Sequence, residues 1–280
     1  MELIDKQKSF LKNFSKLLVY GHNELAKVDL KQKRTSLRKK LLFFMMGATQ
    51  SEAESIFKIM SQTQMHSSVY FKSAIVIFRS ITENLMNLLY IYACDGQKNA
   101  AIFHIDWLQS TLKYSNRYKC LMTKYPQWDL VFGDKAKAGD WNGYIQILKT
   151  AIAKDQKRYK LSDNSELPRL EQRCIQHDQY LSQKNKLSQG NSLEKMYVTY
   201  YPYFSGISHL TSGGLNSFRN YRDDGSFSMS IDSNPADIEA MIPVTYANYL
   251  MILRFFLQKF NVYNGKDFRE YKKTLKSMFK

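Results

Sequence analysis

The chain has 280 residues, 44% hydrophobic and 24% charged, which excludes disorder as the default and is long enough for a large core. Lys and Arg number 41 against 25 Asp and Glu, a formal net charge of +16 that reads either as a plain basic surface or as the mark of a polyanionic partner, nucleic acid or an anionic membrane face. The three cysteines, Cys94, Cys120 and Cys174, are far apart and form no CxxC pair, so no disulfide framework or zinc knuckle can be read, and a reducing cytosol fits best.

Only 12 Gly and 5 Pro, with abundant Leu, Lys, Gln and Met, favour helix over sheet. Residues 2–27 read as a helix, with Leu3, Phe10, Phe14, Leu17, Leu18 and Leu25 at three- and four-residue steps. The N-terminus is charged at once and lacks a signal-peptide core, so a cytoplasmic location is expected. A second helix is expected over 30–46, opening on a basic run from Lys31 to Lys40. Ser51-Glu52-Ala53-Glu54 reads as the capped start of a third.

Residues 66–94 form the longest apolar-rich helix, stopped by Asp95-Gly96, and read as the central core helix. Helices follow at 98–124, 141–158, from Pro168 to about Lys186, and at 193–211, with a loop from Pro126 to Asp140. The Ser-, Asn- and Asp-rich stretch 215–234 contains a period-two run at 226–231 and reads as a hairpin arm or ordered loop. A long apolar helix spans 235–260, and 266–280 is a basic amphipathic tail. The most apolar stretches are interrupted by Lys72, Arg79 and Glu83 and by Arg254. Neither supplies the roughly 18–20 apolar residues of a membrane span, and no integral membrane association is expected. The expectation is an all-α, single-domain bundle over 1–280, with N-terminal helices at 1–65, a core at 66–262 and a tail at 263–280.

Two polar stripes interrupt this apolar pattern. Arg79 and Glu83 are spaced i, i+4 among Ile75, Ile77, Phe78, Ile81 and Leu85, and are expected to face inward. The bland reading is a buried ion pair that fixes helix register; the functional one is an arginine that holds phosphate, aimed by its carboxylate. Tyr201, Ser205 and His209 run i, i+4, i+8 along a second helix, with Ser208 and Ser212 nearby and Gly206, Gly213 and Gly214 leaving room for a ligand. An arginine with a histidine suffices to cleave RNA through its own 2′-hydroxyl, the histidine exchanging protons and the arginine stabilising the phosphorus centre. Arg173 and His177 form another i, i+4 pair on a polar helix, where a solvated face is the simpler reading. Asp and Glu do not cluster with His at ligand spacing, and GxGxxG, Walker A, HExxH and GxSxG are absent, so neither a metal nor a cofactor is expected.

At Phe78-Arg79-Ser80-Ile81-Thr82-Glu83-Asn84 and at Tyr201-x3-Ser205-x3-His209 the chain resembles an uncharacterised bacterial family of all-helical proteins with Arg-Ser-x-x-Glu and Tyr-x3-Ser-x3-His motifs. That family looks like a relative of HEPN domains, helical bundles of toxin–antitoxin and phage-defence systems, often dimeric and often metal-independent ribonucleases. The resemblance implies RNA rather than DNA, or a nucleotide, as partner, with a homodimer or an operon-encoded protein as further partners. Arg79, Glu83 and His209 would be catalytic, and Tyr201, Ser205, Ser208 and Ser212 substrate-binding. The sequence departs from the HEPN Arg-x4-6-His pattern: Arg173 and His177 have three residues between them, and Arg79 and His209 lie on different helices. The alternative is a non-catalytic regulatory or sensor subunit whose polar stripes are structural.

Overall fold

The computed structural model describes residues 2–28, 35–62, 68–93, 96–125, 141–162, 165–188, 191–208, 219–221, 227–229 and 235–278. Among these the chain is all-α apart from one short hairpin. In chain order the helices are α1 Glu2–Ala26, α2 Leu37–Gln62, α3 Ser68–Tyr92, α4 Gly96–Lys124, α5 Trp141–Tyr159, α6 Leu170–Gln183 and α7 Leu193–Ser208, then α8 Pro235–Lys259 and α9 Gly265–Met278. Between α7 and α8, β1 (Arg219–Tyr221) pairs antiparallel with β2 (Phe227–Met229), Asn220 opposite Ser228. This is the hairpin expected near 215–234. The loop 126–140 lies outside the described residues.

Contacts group residues 1–90 with 170–280 in one compact unit and 91–169 in a second. No Gly-, Pro- or Ser-rich linker marks the first junction, which falls in the last turn of α3.

In the first unit α1 packs on α2, α2 on α8, and α8 on α9. The centre is aromatic: Phe14, Phe78, Tyr246, Tyr249, Phe256 and Phe268 are all sealed from solvent. Such rings supply much of the burial energy of a core, and two of these also carry hydroxyls that need partners. Tyr249 donates to Oε1 of Gln50, and Nε2 of Gln50 donates to the Leu18 carbonyl at 3.0 Å, which ties α8, α2 and α1 together. Gly21 makes that approach feasible, because an added Cβ would overlap the Tyr249 hydroxyl. Asn248 of α8 donates to Thr82 Oγ1 of α3 at 3.0 Å.

One expectation is corrected here. The helices placed at 30–46 and from Ser51 are one continuous helix, α2. Leu42, Met46, Thr49, Ala53 and Ile56 make one buried stripe across the supposed break, and that packing outweighs the local preference of Gly47 and Ser51. Glu52 is therefore an interior residue of α2 and not a first-turn acid. The basic amphipathic tail expected at 266–280 is α9, and its apolar side is docked. Phe268 is buried against Tyr20, Tyr263 and Tyr271, and the Tyr246 hydroxyl donates to the Tyr271 carbonyl at 3.3 Å.

In the second unit α4 and α5 pair antiparallel: His104 meets Asp155 near one end and Lys119 meets Asn142 near the other. Ile105, Leu108, Leu148 and Ile152 form its core, with Leu112, Ala151 and Leu161 packed against them.

Candidate functional site

The residues of α3 sort by helical angle. Ile75, Phe78, Ile81, Leu85 and Leu88 occupy the buried side, while Arg79, Ser80, Glu83, Asn84 and Asn87 share the opposite flank. Arg79 and Glu83 were expected to face inward. Instead they lie on this flank, with side chains 20% and 32% exposed, because the apolar neighbours of the motif already fill the core side. By length and composition Ser73–Tyr92 could cross a membrane, but more than half of it is buried within the protein.

Tyr201 reaches this flank from α7. Arg79 Nε donates to Glu83 Oε1 at 2.8 Å, Arg79 Nη2 donates to the Tyr201 hydroxyl at 2.9 Å, and that hydroxyl donates to Glu83 Oε1 at 2.6 Å. The three groups close a ring of hydrogen bonds, and the guanidinium also lies 5.2 Å from the Tyr201 ring centroid. Burial works against the charge on Arg79, but Tyr201 and Glu83 outweigh it and hold the guanidinium above its ordinary value. Burial pushes the Tyr201 phenol up and Glu83 reinforces the shift, so the phenol stays protonated and can donate. The result is a cation fixed in orientation by a carboxylate and a phenol, on a partly exposed flank.

The placement of Tyr201 depends on how α7 begins. Ser192 caps the helix, its Oγ accepting the Lys195 N–H at 3.0 Å. The Asp178 carboxylate of α6 accepts the Leu193 and Glu194 N–H groups at 2.9 and 3.1 Å and the Ser192 hydroxyl at 2.6 Å. Nδ1 of His177 lies 3.0 Å from the same carboxylate. Tyr197 stacks on Tyr201 with centroids 4.9 Å apart, and it packs against the cluster of Met86, Cys174 and Leu193. Burial pushes the Cys174 thiol up to about 12, so it packs as an inert apolar group.

This corrects the reading of Arg173 and His177 as a solvated face. His177 and Asp178 are buried, because a carboxylate that caps a helix from a neighbouring element must sit at the helix–helix contact. Arg173 hydrogen-bonds to Asn87 Oδ1, one turn along α3 from Glu83. The secondary candidate therefore stands on the same flank of α3 as the first. Arg173 and His177 do not act as a pair, since His177 is committed to Asp178.

The sequence reading missed Glu52. From α2 its carboxylate accepts Ser80 Oγ at 2.5 Å and Asn84 Nδ2 at 3.1 Å. Burial, with a smaller contribution from the Glu83 charge, outweighs those bonds and raises its carboxyl above the ordinary value. The signal was present in Ser80 and Asn84, each one residue on from Arg79 and Glu83, which widens the polar flank and calls for a partner from another helix. Ser205 and Ser208 lie on α7 after Tyr201, while His209 and Ser212 lie outside the described residues. Among the described residues no three His, Cys, Asp or Glu side chains converge as a metal site.

Residues 39–227, more than half of the chain, match the model of a family described as a family of unknown function, DUF5677. The chain belongs to the DUF5677 family. No curated protein and no solved structure matches it. The DUF5677 segment contains every candidate residue named above, from Glu52 to Ser212, whereas α1, α8 and α9 fall outside it.

Proposed function

We propose that this DUF5677 chain is a HEPN-like helical protein that binds RNA or a nucleotide and cleaves RNA without a metal, as an effector in bacterial phage defence or a toxin–antitoxin pair. The observation that carries the reading is the closed ring of Arg79, Glu83 and Tyr201 on a partly exposed flank. An oriented guanidinium is the group best suited to hold a phosphodiester. In the proposal Arg79 grips phosphate, Glu83 and Tyr201 orient it, and Ser205, Ser208 and Ser212 hydrogen-bond the substrate. His209 receives its role from its sequence register with Tyr201. It takes the proton of the 2′-hydroxyl as that oxygen attacks phosphorus, and it returns the proton to the 5′-oxygen as the bond from phosphorus to that oxygen breaks, leaving a 2′,3′-cyclic phosphate. Support comes from the ring geometry, the net charge of +16 and the resemblance to HEPN domains.

One observation favours a second reading. Arg79, Glu83 and Tyr201 satisfy one another, as a structural clamp between α3 and α7 would, and this suits a non-catalytic regulatory subunit. Incubation of the protein with total RNA in EDTA separates the two, with Arg79→Gln and His209→Ala compared against wild type and each variant's melting temperature recorded. The ribonuclease reading expects RNA decay that both variants abolish while they melt within a few degrees of wild type. Intact RNA with wild type, together with a steep drop in the Arg79→Gln melting temperature, overturns it in favour of the clamp.

A further inference from the structure

The α4–α5 hairpin carries a surface that the α3 flank does not use. Large aromatic side chains are usually buried, yet Trp107 is 57%, Tyr114 71% and Tyr144 43% exposed. Trp107, Tyr114 and Tyr118 follow at spacings of seven and four residues, which places them on one side of α4. Tyr118 lies 5.1 Å from Trp141 of α5, and Trp141 lies 6.3 Å from Tyr144, so the rings of the two helices join into one strip. At the other end His104 stacks on Trp107 at 5.8 Å and 20°, and Asp155 holds the imidazole at 2.8 Å. The strip is thus held at this end by His104 and Asp155, while Trp107, Tyr114 and Tyr144 stay exposed.

The charge beside this strip is mostly positive. Helix α4 carries five Lys or Arg and one Asp, and α5 carries four and one. Asp155 is bound to His104, and both acids are only partly exposed, whereas Arg117, Lys154 and Arg158 are exposed. A second copy laid on this face would set like charges against each other. A single-stranded nucleic acid has what the surface lacks: phosphates for the cations and a π-face on every base for the rings.

We infer that the α4–α5 hairpin binds single-stranded nucleic acid, with bases stacked on Trp107, Tyr114 and Tyr144 and phosphates held by Arg117, Lys154 and Arg158. Trp107 and Tyr114 stand about 10 Å apart along α4, which spaces the platforms for separate bases. The inference rests on the hairpin's own residues and shares only the class of partner with the function proposed above.

The test titrates the full chain with oligo(U) and oligo(dT) twelve nucleotides long, read by tryptophan fluorescence and by filter binding across a salt series. Wild type should show quenching. Tyr114→Ala and Tyr144→Ala should each weaken binding by about 5- to 150-fold, the range for loss of one stacked base. Trp107→Phe should reduce the quench, Trp141 of the same strip reporting the remainder, and keep most of the affinity. Arg117→Glu with Lys154→Glu should lower the salt slope by at least about 0.7 per lost phosphate contact, without touching a ring. Circular dichroism of each variant checks the fold, and Arg79→Gln is the comparator. Wild-type affinity in every hairpin variant overturns the inference; if Arg79→Gln alone then fails to bind, the α3 reading stands by itself. Loss in the hairpin variants with Arg79→Gln unaffected supports the inference and removes the α3 flank from binding. Absence of oligonucleotide binding by wild type, or a dimer that Tyr114→Ala converts to monomer, overturns the inference, the dimer result naming a second copy as the occupant.

Discussion

Asp178→Ala should destabilise the protein by about 3 kcal/mol, and the structure says where each part comes from. The carboxylate accepts the first two N–H groups of α7, a cap whose loss costs about 1 kcal/mol. Its negative charge sits at a helix N-terminus, worth roughly 0.5 kcal/mol. Removing it also leaves the buried His177 ring nitrogen without this acceptor, at roughly 1–2 kcal/mol. At about 2–4 °C per kcal/mol for a unit of this size, the melting temperature at pH 7 should fall by about 6–12 °C. The pH dependence has a definite sign. Burial alone would raise the Asp178 carboxyl, but hydrogen bonds from Ser192, His177, Leu193 and Glu194 outweigh it and hold it below its ordinary value of 3.8. A carboxyl lowered in the folded state contributes stability that is present above 3.8 and lost as pH falls through the lower folded value. The gap between wild type and Asp178→Ala, measured by calorimetry, should hold from pH 8 to about 5 and close below about 4. A gap under 1 °C at pH 7, or one that widens with acid, would refute the capping argument.

Glu52→Gln should show the opposite sign. Burial raises the Glu52 carboxyl above 4.5 in the folded state, so wild type should lose stability relative to the variant as pH rises past that value towards 7; a flat difference across that window speaks against it. Gly21→Ala should lower the melting temperature by several degrees, because the new Cβ overlaps the Tyr249 hydroxyl and disturbs its buried bond to Gln50. Gly47→Ala is the matched control: nothing lies within 4 Å of its added Cβ, so the substitution should stabilise α2 by up to about 1 kcal/mol. Equal melting temperatures for the two alanine variants would show that the close approach at Gly21 is relaxed in solution.

Much of the secondary structure could be read from spacing alone. The helices at 2–27, 66–94, 98–124 and 141–158 match α1, α3, α4 and α5 within a few residues, because each apolar stripe persists for several turns and then meets a break. The error at 47–51 shows what spacing leaves out. Gly and Ser weaken a helix locally, but whether it breaks depends on the partners that bury its stripe, here α1 and α8. The polar flank was half legible. Arg79 and Glu83 announce themselves by standing among apolar neighbours, and Arg173 seemed solvated only because its acceptor, Asn87, lies 86 residues away in the chain.

The sequence by itself determined the all-helical class, the net positive charge and the polar pair Arg79 and Glu83 within an apolar helix, since these follow from composition and from the 3.6-residue period within single helices. Only the tertiary structure decided that Tyr201 closes a ring with Arg79 and Glu83 and that Glu52 joins the same flank. It also decided that Trp107, Tyr114 and Tyr144 remain uncovered. Each of these is a relation between helices, and the approach of one helix to another is set by how their side chains pack rather than by the order of residues in either.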